Sequence, residues 1–319
     1  MSKMQGTKTP DILSATQGTI WAIVPEKLDA LLESLGWIVP GTEYEARTSE
    51  DEPRIEPGSV AVLTISGIIT HKPSWISLLF GGNSTIELGE VLDNLVENKA
   101  VKAIVLDVDS PGGSVSGVQE LSQKIFDARS KKPIIAVANS LMASAAYWIG
   151  SAAEKVYIIP SGQVGSVGVY AVHVDTSVAD ERAGYKYTII DAGKHKTELT
   201  ETEPLSDEAR GYLQHQIDSY YKKFISDVAR NRGVSPSKVL QDYGQGRVLV
   251  AEDAAGVGMV DGIATLDEVI NITQKEIPKT KTRSWATAAC EVAELQFQTS
   301  PQDENERIQN LDTSTTTNE

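Results

Sequence analysis

The chain has 319 residues, of which 40% are hydrophobic and 23% are charged, and its net charge at pH 7 is −15. This is the composition of a soluble protein with one large or two small domains. The acidic balance excludes a general nucleic-acid binder and a protein that docks on an anionic membrane surface. No stretch approaches the roughly 20 apolar residues of a membrane span, and the first residues lack the apolar core of a signal peptide. We therefore expect a cytoplasmic protein.

An extension precedes the main domain. Residues 1–55 begin polar and then predict a helix over 25–36, with Pro25 in its first turn and leucines at helical spacing. The charged, proline-containing stretch that follows predicts a linker. We expect one domain over residues 56–275. The acidic tail, 276–319, is poor in apolar residues and is predicted to be disordered.

Strands and helices alternate through the central domain. The apolar patterns predict strands at 59–67, 101–108, 133–138, 155–160, 166–175 and 185–190. Helical periodicity predicts helices at 84–99, 114–130, 144–153, 177–184, 206–232, 235–243, 251–258 and 265–275. Because "VKAIVLDV" is apolar almost throughout, it reads as a strand buried on both faces. The order predicts an α/β fold with a largely parallel sheet.

Two strand ends carry candidate chemistry. The first is "DSPGGS", where Gly112 and Gly113 allow a substrate to approach the backbone and free N–H groups can hold an anion or oxyanion. Its alternative interpretation is a tight turn that needs glycine. The second is "LMASAAYW", where Ser144 begins a helix and the N–H of Ala145 lies beside it. Here the alternative is a helix cap or a small residue at a crowded contact. In open α/β sheets, ligands bind at such strand ends.

A serine hydroxyl needs a base to become a nucleophile. Among the four histidines His173 is the best candidate, but no acidic residue clearly pairs with it, and the pattern favours a structural histidine. Lysine is the other option, since Lys194 and Lys196 follow a predicted strand. A lysine acts as a base only when burial or nearby positive charge lowers its pKa by several units. Ser166, at a turn, is placed to hold a lysine amine, although serine also serves turns on its own.

Four ordered segments carry a family resemblance: "DSPGGSVSG", "MASAAYWIGSAAEKVYIIPSGQVGSVGV", "GKHKTELTETEPLSDEAR" and "VLVAEDAAGVGMVDGIATLDEVI". Together they resemble the signal peptide peptidase A family of Ser–Lys proteases, over roughly residues 58–270. The lead-in at 19–36 looks most like the phage-head branch, which contains capsid assembly and prohead maturation proteases. The resemblance implies a crotonase/ClpP-like fold with stacked, largely parallel sheets and flanking helices.

The resemblance also implies roles for individual residues. Ser144 matches the nucleophile, Lys196 the general base, Gly113 and the Ala145 amide the oxyanion-hole donors, and Ser166 the hydroxyl that orients the lysine. Gly112 supports the turn. Many members carry glycines after the nucleophile, where this chain has alanines, so the site is expected to be narrower. No cofactor or metal is implied. A homo-oligomeric ring and a protein substrate, bound as an extended strand along "GSVGVYAVH", are expected.

The sequence leaves three classes of function. The first is a Ser–Lys endopeptidase that cleaves scaffold or capsid proteins during phage head maturation, or a cytosolic, signal-peptide-peptidase-like protease of bacterial origin. The second is a crotonase-like acyl-CoA enzyme, which the absence of an obvious glutamate pair at the two strand ends disfavours. The third is a non-catalytic capsid scaffold or interaction protein.

Overall fold

The computed structural model describes residues 19–29, 53–56, 59–73 and 81–277. The strands are β1 (Trp21–Ile23), β2 (Arg54–Glu56), β3 (Val60–Ile69), β4 (Ala103–Ser114), β5 (Ile134–Ala143), β6 (Lys155–Ile158), β7 (Gln163–Gly165), β8 (Val248–Val250) and β9 (Gly262–Ile263). The helices are α1 (Thr85–Glu97), α2 (Val118–Ala128), α3 (Ala145–Gly150), α4 (Ser177–Arg182), α5 (Asp207–Arg232), α6 (Pro236–Asp242), α7 (Ala251–Val257) and α8 (Leu266–Glu276).

The central strands form a largely parallel sheet. Its main order is β2-β3-β4-β5-β6-β9, with β3, β4, β5, β6 and β9 parallel and β2 antiparallel at one edge. Alternate residues of each strand face opposite sides, so Ile104 joins the core under α1, α2 and α5 while Val105 joins a second core with residues of α8. Because helices cover both faces, the central strands are apolar almost throughout. A mixed α/β fold with a largely parallel sheet is therefore confirmed.

The carboxyl ends of β4 and β5 leave the main sheet direction. The pairing between these strands shifts register after Val108, and β5 then pairs with β7 rather than β6. The end of β4 gains a new antiparallel neighbour, β1, and β7 gains β8. The two candidate segments lie in this redirected part, since "SPGG" belongs to β4 and Ser144 follows β5.

Most predicted elements are confirmed within about three residues at each end, apart from strand ends at β4 and β5 that run further than expected. Their local chemistry explains why. Ser84 accepts the Glu87 N–H at the start of α1, Ser206 caps α5, and Gly233 ends α5 in the left-handed conformation. Thr265 and Glu268 form a capping box at α8.

Two predicted strands are wrong. Residues 166–175 contain one isolated bridge, at Tyr170, and residues 185–190 have no strand. Apolar alternation predicts a strand only where a neighbouring strand completes its hydrogen bonds. Within the described residues, 166–175 is bridged to β1 at Tyr170 alone, and 185–190 pairs with no strand. In addition, "SPGG" is not a turn between β4 and a helix, because β4 continues through Ser114.

The predicted N-terminal helix, the linker and the tail lie largely outside the residues that the structure describes. Residues 25–29 are helical, and the rest of the helix predicted over 25–36 lies outside the described residues, as does most of the linker. The tail predicted over 276–319 likewise lies outside them from residue 278 onward. Among the described residues, none of the helices combines the length and apolar character that crossing a bilayer requires.

Candidate active site

Ser144 sits at a sharp turn between β5 and α3. Its backbone has a φ of 55° and a ψ of −118°, a conformation that a residue with a side chain adopts only when its surroundings enforce it. The Ser144 N–H donates to the Gly165 carbonyl at 2.7 Å, which fixes the turn against β7. The hydroxyl makes a long hydrogen bond of 3.4 Å to the Gly168 carbonyl. A buried serine on a strained strand-to-helix turn is the arrangement that exposes a nucleophile in many hydrolases.

Helix α3 is held from behind by buried aromatic residues. Tyr147 donates its hydroxyl proton to the Met259 carbonyl at 2.9 Å, and the Trp148 indole N–H donates to Asp227 of α5 at 2.9 Å. Trp148 also stacks on Phe224, with 4.5 Å between ring centroids and 9° between planes. These contacts give Ser144 and the adjacent Ala145 amide a fixed position.

The "SPGG" segment passes directly beside Ser144. Ser110 holds the backbone there, since its hydroxyl donates to the Gly67 carbonyl at 2.6 Å and accepts the Gly112 N–H at 3.1 Å. Gly112 has a φ of +100°, and a Cβ built on it would lie 3.0 Å from the Ser144 Cβ. Gly113 has no room for a side chain either, because a Cβ would lie 1.8 Å from the Ile69 carbonyl oxygen. Both glycines are therefore required by close approach of backbone and nucleophile.

Strand β1 lies in a groove between the "SPGG" segment of β4 and the stretch around Tyr170. It pairs antiparallel with the end of β4, and Ala22 lies opposite Gly113. Hydrogen bonds flank this pair on both sides, from Val24 N–H to Pro111 O at 3.0 Å and from Val115 N–H to Ile20 O at 3.2 Å. Since bonded pairs alternate with non-bonded pairs in an antiparallel ladder, Ala22 and Gly113 form a bonded pair. The Gly113 N–H, predicted as an oxyanion-hole donor, thus faces the carbonyl oxygen of Ala22.

The other edge of β1 is bonded as well. Trp21 exchanges two backbone hydrogen bonds with Tyr170, of 2.8 and 2.9 Å. The segment therefore lies between "SPGG" and the "GSVGVY" stretch, which the family resemblance assigns to substrate binding. Sequence reasoning missed β1, Trp21 and Tyr170. The available signal was the short apolar run "TIWAIV", ended by Pro25.

Ser166 lies next to the residue that fixes the nucleophile. It follows Gly165, has a φ of 53°, and is almost completely buried. Its N–H donates to the Arg247 carbonyl at 2.8 Å, which anchors it to the stretch before β8. The structure therefore places Ser144, Ala145, Gly112, Gly113 and Ser166 together.

Lys196 is separate from this cluster in the single chain. Its side chain is exposed and lines a cavity of about 540 Å³ with neighbours that include Glu198, Leu199 and Tyr212. The burial that a neutral lysine base needs is not provided by the described part of one chain. Lys194 is engaged elsewhere, in an ion pair of 2.7 Å with Glu208.

The histidines near this region are also engaged. His173 Nε2 lies 3.0 Å from the Thr200 carbonyl oxygen, and His195 Nδ1 lies 2.9 Å from Glu198. Neither contact involves Ser144. A Ser–His arrangement is therefore not formed by these two residues.

A buried serine on a strained turn, beside glycine backbone and a helix-start amide, is the layout that serine hydrolases use for acyl transfer. The comparisons agree: residues 127–278 match the model of peptidase family S49. The resemblance to the signal peptide peptidase A family is thus confirmed, and the chain is related to the S49 peptidases.

Several curated relatives are named as proteases. A protein of Methanocaldococcus jannaschii is 31% identical over 59% of this chain and 62% of its own length. "Capsid assembly protease C" of Escherichia phage lambda is 27% identical over 70% of this chain and 51% of its own length. "Protease 4" of Salmonella typhi is 29% identical over 76% of this chain and 39% of its own. The chain thus spans between about two fifths and three fifths of the length of these relatives.

One solved structure is similar more weakly. It is a membrane-bound stomatin-specific protease, with a TM-score of 0.42 and 17% identity over 66% of this chain and 83% of that one. These values are too low to assign the crotonase/ClpP-like fold.

Proposed function

We propose that the chain is a serine endopeptidase in which Ser144 is the nucleophile. The observation that carries this proposal is the strained turn at Ser144, buried against Gly112 and flanked by the Ala145 amide. The family match and the protease names of the relatives support it. We further propose that residues 56–275 form the catalytic domain, of the crotonase/ClpP-like type, with residues 1–55 as an extension and 276–319 as a tail.

In the proposed reaction, the Ser144 hydroxyl oxygen attacks a peptide carbonyl carbon. The N–H groups of Gly113 and Ala145 stabilise the oxyanion that forms, and the loss of one such donor typically raises the barrier by about 2.7–4 kcal/mol. The carbon–nitrogen bond breaks, the amine leaves with a proton, and water then hydrolyses the acyl-serine ester. This role of Gly113 requires that Ala22 either leave the groove or be the carbonyl that is attacked.

Lys196 is proposed as the general base, with Ser166 orienting its amine. Of the two lysines in "GKHK", Lys194 is held by Glu208, whereas the side-chain amine of Lys196 makes no hydrogen bond or ion pair within the described residues. The exposed position of Lys196 means that its loop must close over Ser144 or that a second copy of the chain must supply it. Tyr187 and Ile190, in the same segment, have exposed apolar side chains. Because exposed apolar patches mark interfaces, they favour the arrangement in which a second copy supplies Lys196.

Casein cleavage tests the nucleophile and the base separately. Wild type is compared with Ser144→Ala, Lys196→Ala and, as the matched control, Lys194→Ala. We expect the first two substitutions to abolish cleavage and the control to retain it. A Ser144→Ala chain that cleaves at the wild-type rate would refute the proposal.

Mixing the two inactive variants tests where the base comes from. If Lys196 acts on Ser144 of another copy, a mixture of Ser144→Ala and Lys196→Ala chains regains part of the activity. If it acts within its own chain, the mixture stays inactive. Light scattering on the same samples reports whether the chain is the expected homo-oligomer.

The biological setting is proposed as phage head maturation, with a scaffold or capsid protein as the substrate. The name of the phage lambda relative supports this, and "Protease 4" supports a signal-peptide-peptidase-like protease of bacterial origin equally. Neighbouring portal and major capsid genes would favour the phage setting. A non-catalytic scaffold role would instead leave Ser144 unlabelled by a fluorophosphonate probe in a folded, oligomeric sample.

A further inference from the structure

The segment around Ala22 lies in the groove as a substrate strand would. Its backbone is bonded on both edges, to the "SPGG" strand through Ala22 and to Tyr170 through Trp21. A strand that adds itself between two others in this way is a general mode of peptide recognition. Here the occupant is part of the same chain.

The register points the Ala22 carbonyl at the predicted oxyanion-hole donor. The Gly113 N–H faces the Ala22 oxygen, as the ladder pairing requires. The point where a Gly112 Cβ would lie is 2.2 Å from the Ala22 oxygen and 3.0 Å from the Ser144 Cβ. The Ala22 carbonyl oxygen and the Ser144 side chain thus both lie close to the same point. Ala22 itself is fully buried and small, which suits a narrow site.

The segment is not a fully satisfied part of the core. The Trp21 indole nitrogen and the Tyr170 hydroxyl are both buried without a hydrogen-bond partner in the described part of the protein. Buried polar groups normally have partners, and an unpaired one is costly. If the segment left the groove, both groups would gain access to water, which favours its release.

The upstream end of the segment leads to open space. A cavity of about 620 Å³ lies where it enters the groove, lined by Thr19, Ile20, Val115 and side chains of α5 that include Tyr212 and Lys223. The cavity gives a peptide longer than β1 room to extend beyond the groove at this end.

We propose that the chain cleaves itself between Ala22 and Ile23, with the Ala22 carbonyl as the attacked group. This inference rests on the proposed Ser144 peptidase activity. A bond forms between the Ser144 oxygen and the Ala22 carbonyl carbon, and the Ala22–Ile23 bond breaks. The serine proton passes through the general base to the Ile23 nitrogen. Water then hydrolyses the ester, which leaves a carboxylate on Ala22 and a new amino terminus at Ile23.

Intact mass under denaturing conditions, together with N-terminal sequencing, tests the proposal on the full chain. Wild type is expected to lose residues 1–22 and to begin at Ile23, while Ser144→Ala stays whole. Ala22→Ser, a nearly isosteric control, is expected to be cut like wild type. Ala22→Asp is expected to slow the cut more than about tenfold, because an unpaired charge is costly in this buried position. Its far-ultraviolet circular dichroism, compared with that of wild type, shows whether it has folded.

The outcomes separate this inference from the proposed function. A wild-type chain that cleaves casein but remains whole, or is cut at another bond, overturns the self-cleavage and leaves the peptidase proposal standing. A chain that cleaves neither itself nor casein overturns both. A whole wild-type chain that becomes more active when residues 1–22 are deleted shows that the segment is an inhibitory strand and also overturns the self-cleavage.

Discussion

The contact that fixes helix α3 behind Ser144 can be tested by Trp148→Phe. Phenylalanine retains a ring that stacks on Phe224, but it removes the N–H that donates to Asp227 at 2.9 Å. Asp227 is almost completely buried and keeps two weaker partners, the Gln119 amide at 3.2 Å and the Arg230 guanidinium at 3.4 Å. The substitution therefore leaves a buried carboxylate without its closest donor.

The expected loss of stability has two parts. A hydrogen bond to a charged group contributes about 1.5–3 kcal/mol. The smaller ring also leaves a cavity beside Phe224, and at about 24 cal/mol per Å³ a void of a few tens of Å³ costs about 1 kcal/mol more. We expect the free energy of unfolding to fall by about 2.5–4 kcal/mol in total.

Urea unfolding followed by far-ultraviolet circular dichroism measures this loss without relying on tryptophan fluorescence. Asp227→Asn serves as the control, because its amide oxygen still accepts from Trp148 and only the charge is lost. The double variant should be less destabilised than the two single losses together, because Trp148→Phe removes the hydrogen bond that the Asp227 charge strengthens, and Asp227→Asn removes that charge. A loss below about 1 kcal/mol, or strict additivity, would refute the assigned contact.

Three further outcomes are expected. Gly113→Ala should prevent stable folding, because its Cβ would lie 1.8 Å from a backbone carbonyl oxygen, whereas Gly89→Ala in α1 meets its nearest neighbour at 3.5 Å and should be tolerated; soluble yield and circular dichroism compare the two. Thr265→Ala removes the capping box of α8 and should lower the free energy of unfolding by about 1 kcal/mol, with Thr265→Ser close to wild type in urea. Burial, helped by nearby carboxylates, raises the pKa of Tyr170 to about 12. Because this folded-state pKa is above the unfolded value of about 10, its contribution to stability is present below pH 10 and is lost as the pH rises towards 12. Absorbance at 295 nm, as the difference between Ser144→Ala chains with and without Tyr170→Phe, should show this titration, and a midpoint near pH 10 would contradict it.

The sequence was sufficient for elements that local chemistry specifies. Caps at Ser84 and Ser206 and the terminating Gly233 mark helix ends by hydrogen bonds that the chain makes within a few residues. Continuous apolar runs mark β3, β4 and β5 because both faces of the sheet are covered. These signals do not depend on distant parts of the chain.

The signals failed where structure depends on a distant partner. The stretch at 185–190 has apolar residues in a strand-like pattern, yet Ile190 is 94% exposed and the segment pairs with no described strand. Conversely, "TIWAIV" is too short to predict a strand, and β1 forms because "SPGG" and Tyr170 offer it backbone partners on both edges. Pairing between segments so far apart is not visible in periodicity.

The same difference between local signals and distant contacts decides which residues of the candidate site the sequence predicts. Ser144, Ala145, Gly112, Gly113 and Ser166 come together because each sits on a turn or strand end with a special backbone conformation, which serine and glycine in short motifs can signal. Lys196 lies in a segment with little regular structure and an exposed side chain, so neither its motif nor the fold of one chain determines where its amine acts. Because its side chain is exposed, Lys196 can reach Ser144 only if its loop closes or if another copy of the chain supplies it. The mixing experiment with the Ser144 and Lys196 variants is therefore the measurement that completes or breaks the proposed dyad.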